Sequence, residues 1–295
     1  AVLPTGEVIR PGGKFVKCST GYDLTQLIAG SEGTLAVITQ VILRLSTPPG
    51  HREILFIPFS DLRQAIECVP EILKHKSCVA GLEFLERDAV RSIEAFTQKE
   101  LPFHDHAAFL IVILEGDSQE EVLQAAGRIS EVTAAHGAID VYLPPSERAR
   151  RELLQQREKL GPAMRTFKPA ELADVVVPRS RIAEFVARLK EISTKYGIPI
   201  HANGHAGDGN VHIYFLGHEM TKEEWDERLP KAEDEVYRAG AALGGTISGE
   251  HGLGFMKKPY LRLVMSQEQI DLMVRIKVAF DPNGILNPGK VFDIA

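Results

Sequence analysis

The sequence predicts an α+β fold in which an antiparallel sheet is covered by helices, and three observations carry this. Short β-branched or apolar runs at 53–59, 79–84, 107–114, 138–143, 173–177, 198–202 and 211–216 alternate with amphipathic segments. The last two runs stand too close together for a helical crossover, so they must pair antiparallel rather than join a doubly wound parallel sheet. Ser118 with Glu121, Thr221 with Glu224, and Ser266 with Gln269 have capping-box spacing, in which side chains at both ends satisfy the free N–H groups of a first helical turn.

Along the chain, residues 1–47 mix short apolar runs with Gly and Pro and end in a β-branched run, 35–45, that reads as a buried strand. Thr47-Pro48-Pro49-Gly50 breaks that pattern and opens a second domain of strands and helices, 48–265. The segment 266–295 begins with a capped helix and ends in Asp281-Pro282-Asn283-Gly284, too turn-rich to continue it. The chain opens at Ala1 without Met, in the turn-rich Leu3-Pro4-Thr5-Gly6, so a preceding N-terminal portion is expected.

Composition excludes several classes. With 44% hydrophobic and 25% charged residues in 295, the chain can bury a full core and is neither disordered nor low in complexity. A net charge of −6 with scattered Lys and Arg leaves no footprint for nucleic acid. No run approaches the roughly 18 apolar residues that span a bilayer. Cys18, Cys68 and Cys78, three cysteines without CxxC spacing, suit reduced thiols and a cytoplasmic location.

The strongest chemical signal is Gly204-His205-Ala206-Gly207-Asp208-Gly209-Asn210-Val211-His212. Its glycines argue against a helix, and a turn at Asp208-Gly209 sets His205 and His212 roughly opposite each other on paired strands. Gly249-Glu250-His251-Gly252 offers a carboxylate and a further imidazole between glycines. Two neutral imidazoles and Glu250 would leave a divalent ion charged and open to substrate, the arrangement of a catalytic centre. Zinc, manganese and iron all accept this set. An α-hydroxy acid would chelate such an ion through carboxylate and hydroxyl oxygens, with His251 as the base for the hydroxyl proton. The same ligands also suit a metal-dependent hydrolase. Gly30-Ser31-Glu32-Gly33-Thr34-Leu35 is either a cradle of backbone N–H groups for a diphosphate or a tight turn before a core strand.

Together the GSEGTLAVIT run, the HAGDGNVH hairpin, the SGEHGLG loop and the terminal DPNGILNPGK resemble FAD-linked oxidases of the vanillyl-alcohol-oxidase type, in the glycolate oxidase flavin subunit, D-lactate dehydrogenase and D-2-hydroxyglutarate dehydrogenase branch. The resemblance implies that 1–47 is the trailing part of an FAD-binding domain, 48–265 a substrate or cap domain with the metal site, and 266–295 a helix and tail returning to the flavin. It implies FAD-dependent oxidation of a small D-2-hydroxy acid, D-lactate or glycolate, to the 2-oxo acid. The electrons would pass to an electron-transfer flavoprotein, an iron–sulfur subunit or a quinone. By the same resemblance His205, His212 and Glu250 match metal ligands, His251 the residue beside the substrate hydroxyl, and Arg157 the arginine for the substrate carboxylate. Glu32, Gly33, Thr34 and Ile38 match the FAD-contacting turn and strand, and Asn287 and Lys290 the returning tail. The sequence departs from the pattern in three ways. The glycine-rich phosphate loop is missing, so a non-catalytic fragment that docks on a partner FAD-binding chain is the other reading. Leu172 and Tyr214 replace a lysine and an asparagine of the hydroxyglutarate-type enzymes, which argues against a dicarboxylate. Ala36 replaces a glycine.

Overall fold

The computed structural model describes residues 1–75 and 78–294. In chain order its first elements are α1 (Leu24–Ala29), β1 (His51–Phe59), α2 (Leu62–Glu67), α3 (Val69–Ile72), β2 (Val79–Glu86), α4 (Arg87–Thr97) and β3 (Ala108–Gly116). There follow α5 (Gln119–Ala135), α6 (Glu147–Glu158), α7 (Leu160–Met164), β4 (Ala170–Val176) and α8 (Ile182–Tyr196). The last are β5 (Ile200–His205), β6 (Asn210–Leu216), α9 (Lys222–Ala242) and α10 (Gln267–Phe280). Two compact units emerge, one formed by Pro48–Gly249 and the other by Ala1–Thr47 together with Glu250–Ala295.

In the Pro48–Gly249 unit, six strands pair antiparallel in the order β1-β3-β2-β5-β6-β4, with β5 and β6 paired as the short gap between them requires. Alternate residues of the strands feed opposite faces. Ile54 and Phe56 of β1 join Phe109 and Ile111 of β3, Val90 and Ile93 of α4, Leu153 of α6, and Leu160 and Met164 of α7 in one buried cluster. Phe56 and Phe109 stack at 5.0 Å between ring centroids. The other face of β1 and β3 packs against α5. Helices therefore cover both faces, and the interior of β1 and β3 is apolar on both.

Two capping boxes are complete: Thr221 and Ser266 accept from the Glu224 and Gln269 amides, whose side chains reach back. Ser118 makes only its half, because Glu121 bonds the Asp117 amide instead. Residues 138–143 do not form a strand. They touch β1 through bridges at Ala138 and Tyr142, and between these the Asp140 carboxylate takes the Val141 amide that a ladder would use.

Burial raises the Glu233 carboxyl of α9 to about 7, helped by the negative charge of Glu171. The folded protein therefore keeps a proton that the unfolded chain releases above about pH 4.5, and this contribution to stability is lost as pH rises toward 7. A Glu233→Gln variant is expected to be more stable at pH 8 by about 1–2 kcal/mol, with no gain at pH 4, in paired urea titrations.

The other unit holds α1, α10 and the turns around them. Of the run 35–45, only Leu35 and Ala36 are buried, and Val37 makes a single bridge to Val2. The rest is exposed and forms no strand, with Val41 at 67% and Leu45 at 88% of full exposure. The buried strand expected over 35–45 is therefore not formed, because beyond the Val37 bridge no strand among the described residues pairs with it. At the heart of the unit, Lys277 of α10 is 3% exposed and donates to the carbonyls of Thr34 (2.7 Å) and Leu286 (2.9 Å) and to the carboxylate of Asp281.

Candidate metal and substrate site

The sheet register assembles the site in the Pro48–Gly249 unit. One cross-strand row reads Glu83, His205, Asn210 and Val176, and the next on the same face reads Leu85, Asn203, His212 and Asp174. The two histidines are thus diagonal neighbours in adjacent rows, not directly opposite, because four turn residues (206–209) separate His205 from Asn210. Their Nε2 atoms converge to 3.4 Å. The strands approach so closely that a Cβ at Gly204 would lie 2.0 Å from the Asn210 carbonyl oxygen, so only glycine fits there.

A carboxylate stands behind each imidazole. Nδ1 of His205 lies 2.6 Å from Oε1 of Glu83, and Nδ1 of His212 lies 3.8 Å from Oδ1 of Asp174. Burial pushes the Glu83 carboxyl upward, but the His205 hydrogen bond and the charge of Arg157 outweigh it and hold the group below the ordinary range. Glu83 is thus an ionised acceptor. It selects the His205 tautomer with the proton on Nδ1 and the Nε2 lone pair facing His212. Asp174 is fully buried, and its Oδ2 accepts from the Ser248 hydroxyl (3.1 Å) and the Gly249 amide (2.8 Å). A Cβ at Gly249 would meet the Asn210 side chain at 2.5 Å, so a glycine closes this turn.

Two nitrogens bound to one tetrahedral ion at about 2.0–2.1 Å lie about 3.3–3.4 Å apart. The observed Nε2 separation fits that spacing, and the Glu83 carboxylate on Nδ1 of His205 is the partner usual behind a metal-binding histidine. Glu250 and His251 follow Gly249 directly in the chain and belong to the other compact unit, both exposed, with Oε1 and Nε2 3.9 Å apart.

Arg157, in the last turn of α6, donates from Nη2 to Oε2 of Glu83. Its Nε is buried and has no hydrogen-bond partner among the described residues. Tyr214 faces Leu172 across β4 and β6. Burial raises its phenol, while the positive charges of Arg165 and Arg157 act in the opposite sense, which puts Tyr214 in the field of the same arginine.

In the other unit, Asn287 Nδ2 donates to the Glu32 carbonyl (3.1 Å), joining the GSEGT turn to the terminal tail. The Glu32 carboxylate accepts from the Leu253 and Gly254 amides, each at 2.8 Å, and so holds the loop that carries Glu250 and His251. The Ser31 and Thr34 amides are spent inside the turn on the carbonyls of Ile28 and Ser31. Thr34 is buried, whereas Glu32, Gly33, Ile38, Asn287 and Lys290 are exposed. The Lys290 ammonium lies 5.5 Å from the Phe255 ring centroid.

Glu83 and Asp174 were not among the sequence-predicted site residues. Each is an ionisable residue inside an apolar strand run, an expensive placement that signals a partner.

Residues 48–291 match the family described as FAD linked oxidases, C-terminal domain. Relatives include a D-lactate dehydrogenase of Anaerostipes hadrus, 36% identical over 98% of this chain and 62% of that protein. The glycolate oxidase subunit GlcD of Bacillus subtilis (strain 168) is 38% identical over 99% of the chain and 62% of its own length. The chain thus spans about 62% of the length of these curated relatives. Among solved structures, p-cresol methylhydroxylase with substrate bound aligns over 99% of this chain and 64% of its own, with a TM-score of 0.76 at 18% identity, a likeness of fold.

Proposed function

Because this chain belongs to the FAD linked oxidases, through the C-terminal domain that its residues match, we propose that it serves the FAD-dependent, metal-assisted oxidation of a small D-2-hydroxy acid, D-lactate or glycolate, to the 2-oxo acid. The observation that carries the metal part is the 3.4 Å approach of two imidazole Nε2 atoms, with Glu83 hydrogen-bonded behind His205 and Asp174 3.8 Å behind His212. His205 and His212 are two ligands for zinc, manganese or iron. Glu250 is the third, the residue after the glycine that Asp174 anchors. When bound, FAD supplies the acceptor for the hydrogen and two electrons of the α-carbon, and the cation supplies Lewis acidity toward the hydroxyl oxygen.

The chain's own residues bind and orient. Arg157 holds the substrate carboxylate through the donors that Glu83 leaves available. His251 takes the hydroxyl proton. Leu172 and Tyr214, cross-strand neighbours, bound the substrate tail with an apolar side chain and a raised phenol, which suits a small acid over a dicarboxylate. Glu32, Gly33, Thr34 and Ile38, with Asn287 and Lys290, contact the flavin. The Asn287–Glu32 bond, which makes turn and tail one piece, supports their acting together. On this reading 1–47 is the trailing part of the FAD-binding domain, 48–265 the substrate domain, and 266–295 the helix and tail that return to the flavin. An electron-transfer flavoprotein, iron–sulfur subunit or quinone reoxidises it, in the cytoplasm. No helix of the described residues is long and apolar enough to cross a membrane.

The test is elemental analysis and visible spectroscopy of the purified complete protein and its His205→Ala variant. Near-stoichiometric metal that the variant loses, with flavin absorbance bleached by D-lactate or glycolate, is the expected result. Metal absent from both proteins, or flavin unreactive to either acid, would contradict the assignment.

A further inference from the structure

We propose that Glu83 is a positioning residue that couples a cation at the histidine pair to an anion at Arg157, with one carboxylate oxygen serving each side. This rests on the cation-binding reading above. Oε1 holds His205 through Nδ1 at 2.6 Å and Oε2 holds the Arg157 guanidinium. The link is built into the fold at its firmest points. Register fixes Glu83 opposite His205 on β5 and Ile111 on β3, so its backbone is held from both sides.

Arginine–carboxylate pairs are frequently bidentate, with two parallel N–H···O bonds to both oxygens of one carboxylate. Glu83 instead divides its oxygens between two partners. Arg157 accordingly keeps a buried Nε–H with no partner among the described residues, donor capacity that another carboxylate can use. A carboxylate that draws on the guanidinium alters the hydrogen bond Glu83 accepts from His205, and His205 presents its Nε2 toward His212. Linkage makes the effect reciprocal, so cation occupancy alters the hold on the anion by the same factor. In a reaction that needs both partners in place, this favours loading them together.

The experiment measures zinc affinity, by competition with a chromogenic chelator, in the metal-stripped complete protein carrying Glu83→Gln, Arg157→Gln, both, or His205→Ala. Glu83→Gln is expected to weaken zinc about 10- to 100-fold, the usual effect of losing a carboxylate behind a ligating histidine. Arg157→Gln, which removes no ligand, is expected to change zinc affinity by about threefold or more with Glu83 present and by less than about 1.5-fold in the Glu83→Gln background. Loss of packing alone would act equally in both backgrounds, so equal effects overturn the coupling. Zinc affinity within twofold of wild type in Glu83→Gln, with zinc lost in His205→Ala, overturns the role of Glu83 and leaves the histidine site standing. Wild-type affinity in His205→Ala removes the histidine site and this proposal with it. Should Glu83→Gln fail to fold, Glu83→Asp takes its place in the same cycle. Its shorter carboxylate cannot span both partners, so the Arg157→Gln effect should again shrink.

Discussion

A His212→Ala variant of the complete protein is expected to lose at least about a thousandfold in turnover, together with its bound metal, while remaining folded. His212 is almost buried, lies 3.4 Å from the facing Nε2 of His205, and cannot be replaced by water without losing half of the imidazole pair. The fold should survive because Asp174, exposed to the cavity so created, keeps the Ser248 hydroxyl and Gly249 amide as donors. The cost should be about 1–3 kcal/mol, the price of one weakened buried polar contact. Steady-state kinetics, elemental analysis and a melting curve on the same preparation decide the matter. Near-normal turnover with metal retained would remove His212 from the site.

The second large effect is one of stability. Lys277→Met should cost about 3–5 kcal/mol, because the change strands the Asp281 carboxylate in the interior and leaves the carbonyls of Thr34 and Leu286 without their donor. Asp281 also receives the amides of Ile285 (3.1 Å) and Leu286 (2.8 Å), so the damage spreads into the tail. The same variant should release flavin faster on gel filtration, since Thr34 and the tail are among the residues assigned to the flavin. Adding Asp281→Asn, which removes the stranded charge, should recover part of the stability. A loss below about 1 kcal/mol in urea unfolding would show that the buried lysine is dispensable.

These sites differ in how far the bare sequence reveals them. The histidine hairpin is local: six residues separate its two imidazoles, and the turn glycines between them announce the geometry. Even so, turn length decides the register, and the pair came out diagonal where a tighter turn would have set it straight across. Glu83 and Asp174 depend on pairings of β2 with β5 and of β4 with β6, which join residues 122 and 38 positions apart in the chain, and no local pattern encodes such registers. Their one trace is a charge embedded in an apolar strand. The Lys277 hub is similarly nonlocal, since its acceptor at Thr34 is 243 residues away. The seventh strand failed for a local reason, the Asp140 side chain competing for a ladder amide.

The run from Val37 to Leu45 has a consequence for how the molecule must be handled. It is β-branched and apolar, carries a single charge at Arg44, and meets no proline before Pro48. Wherever the rest of its domain does not cover it, such a stretch beyond Val37 offers its amides and carbonyls to any similar segment it encounters, which is how edge-to-edge aggregation begins. Arg44 is its one gatekeeper. For a fragment that holds only these residues, a second charge at Ile42 would raise the concentration at which it stays dispersed.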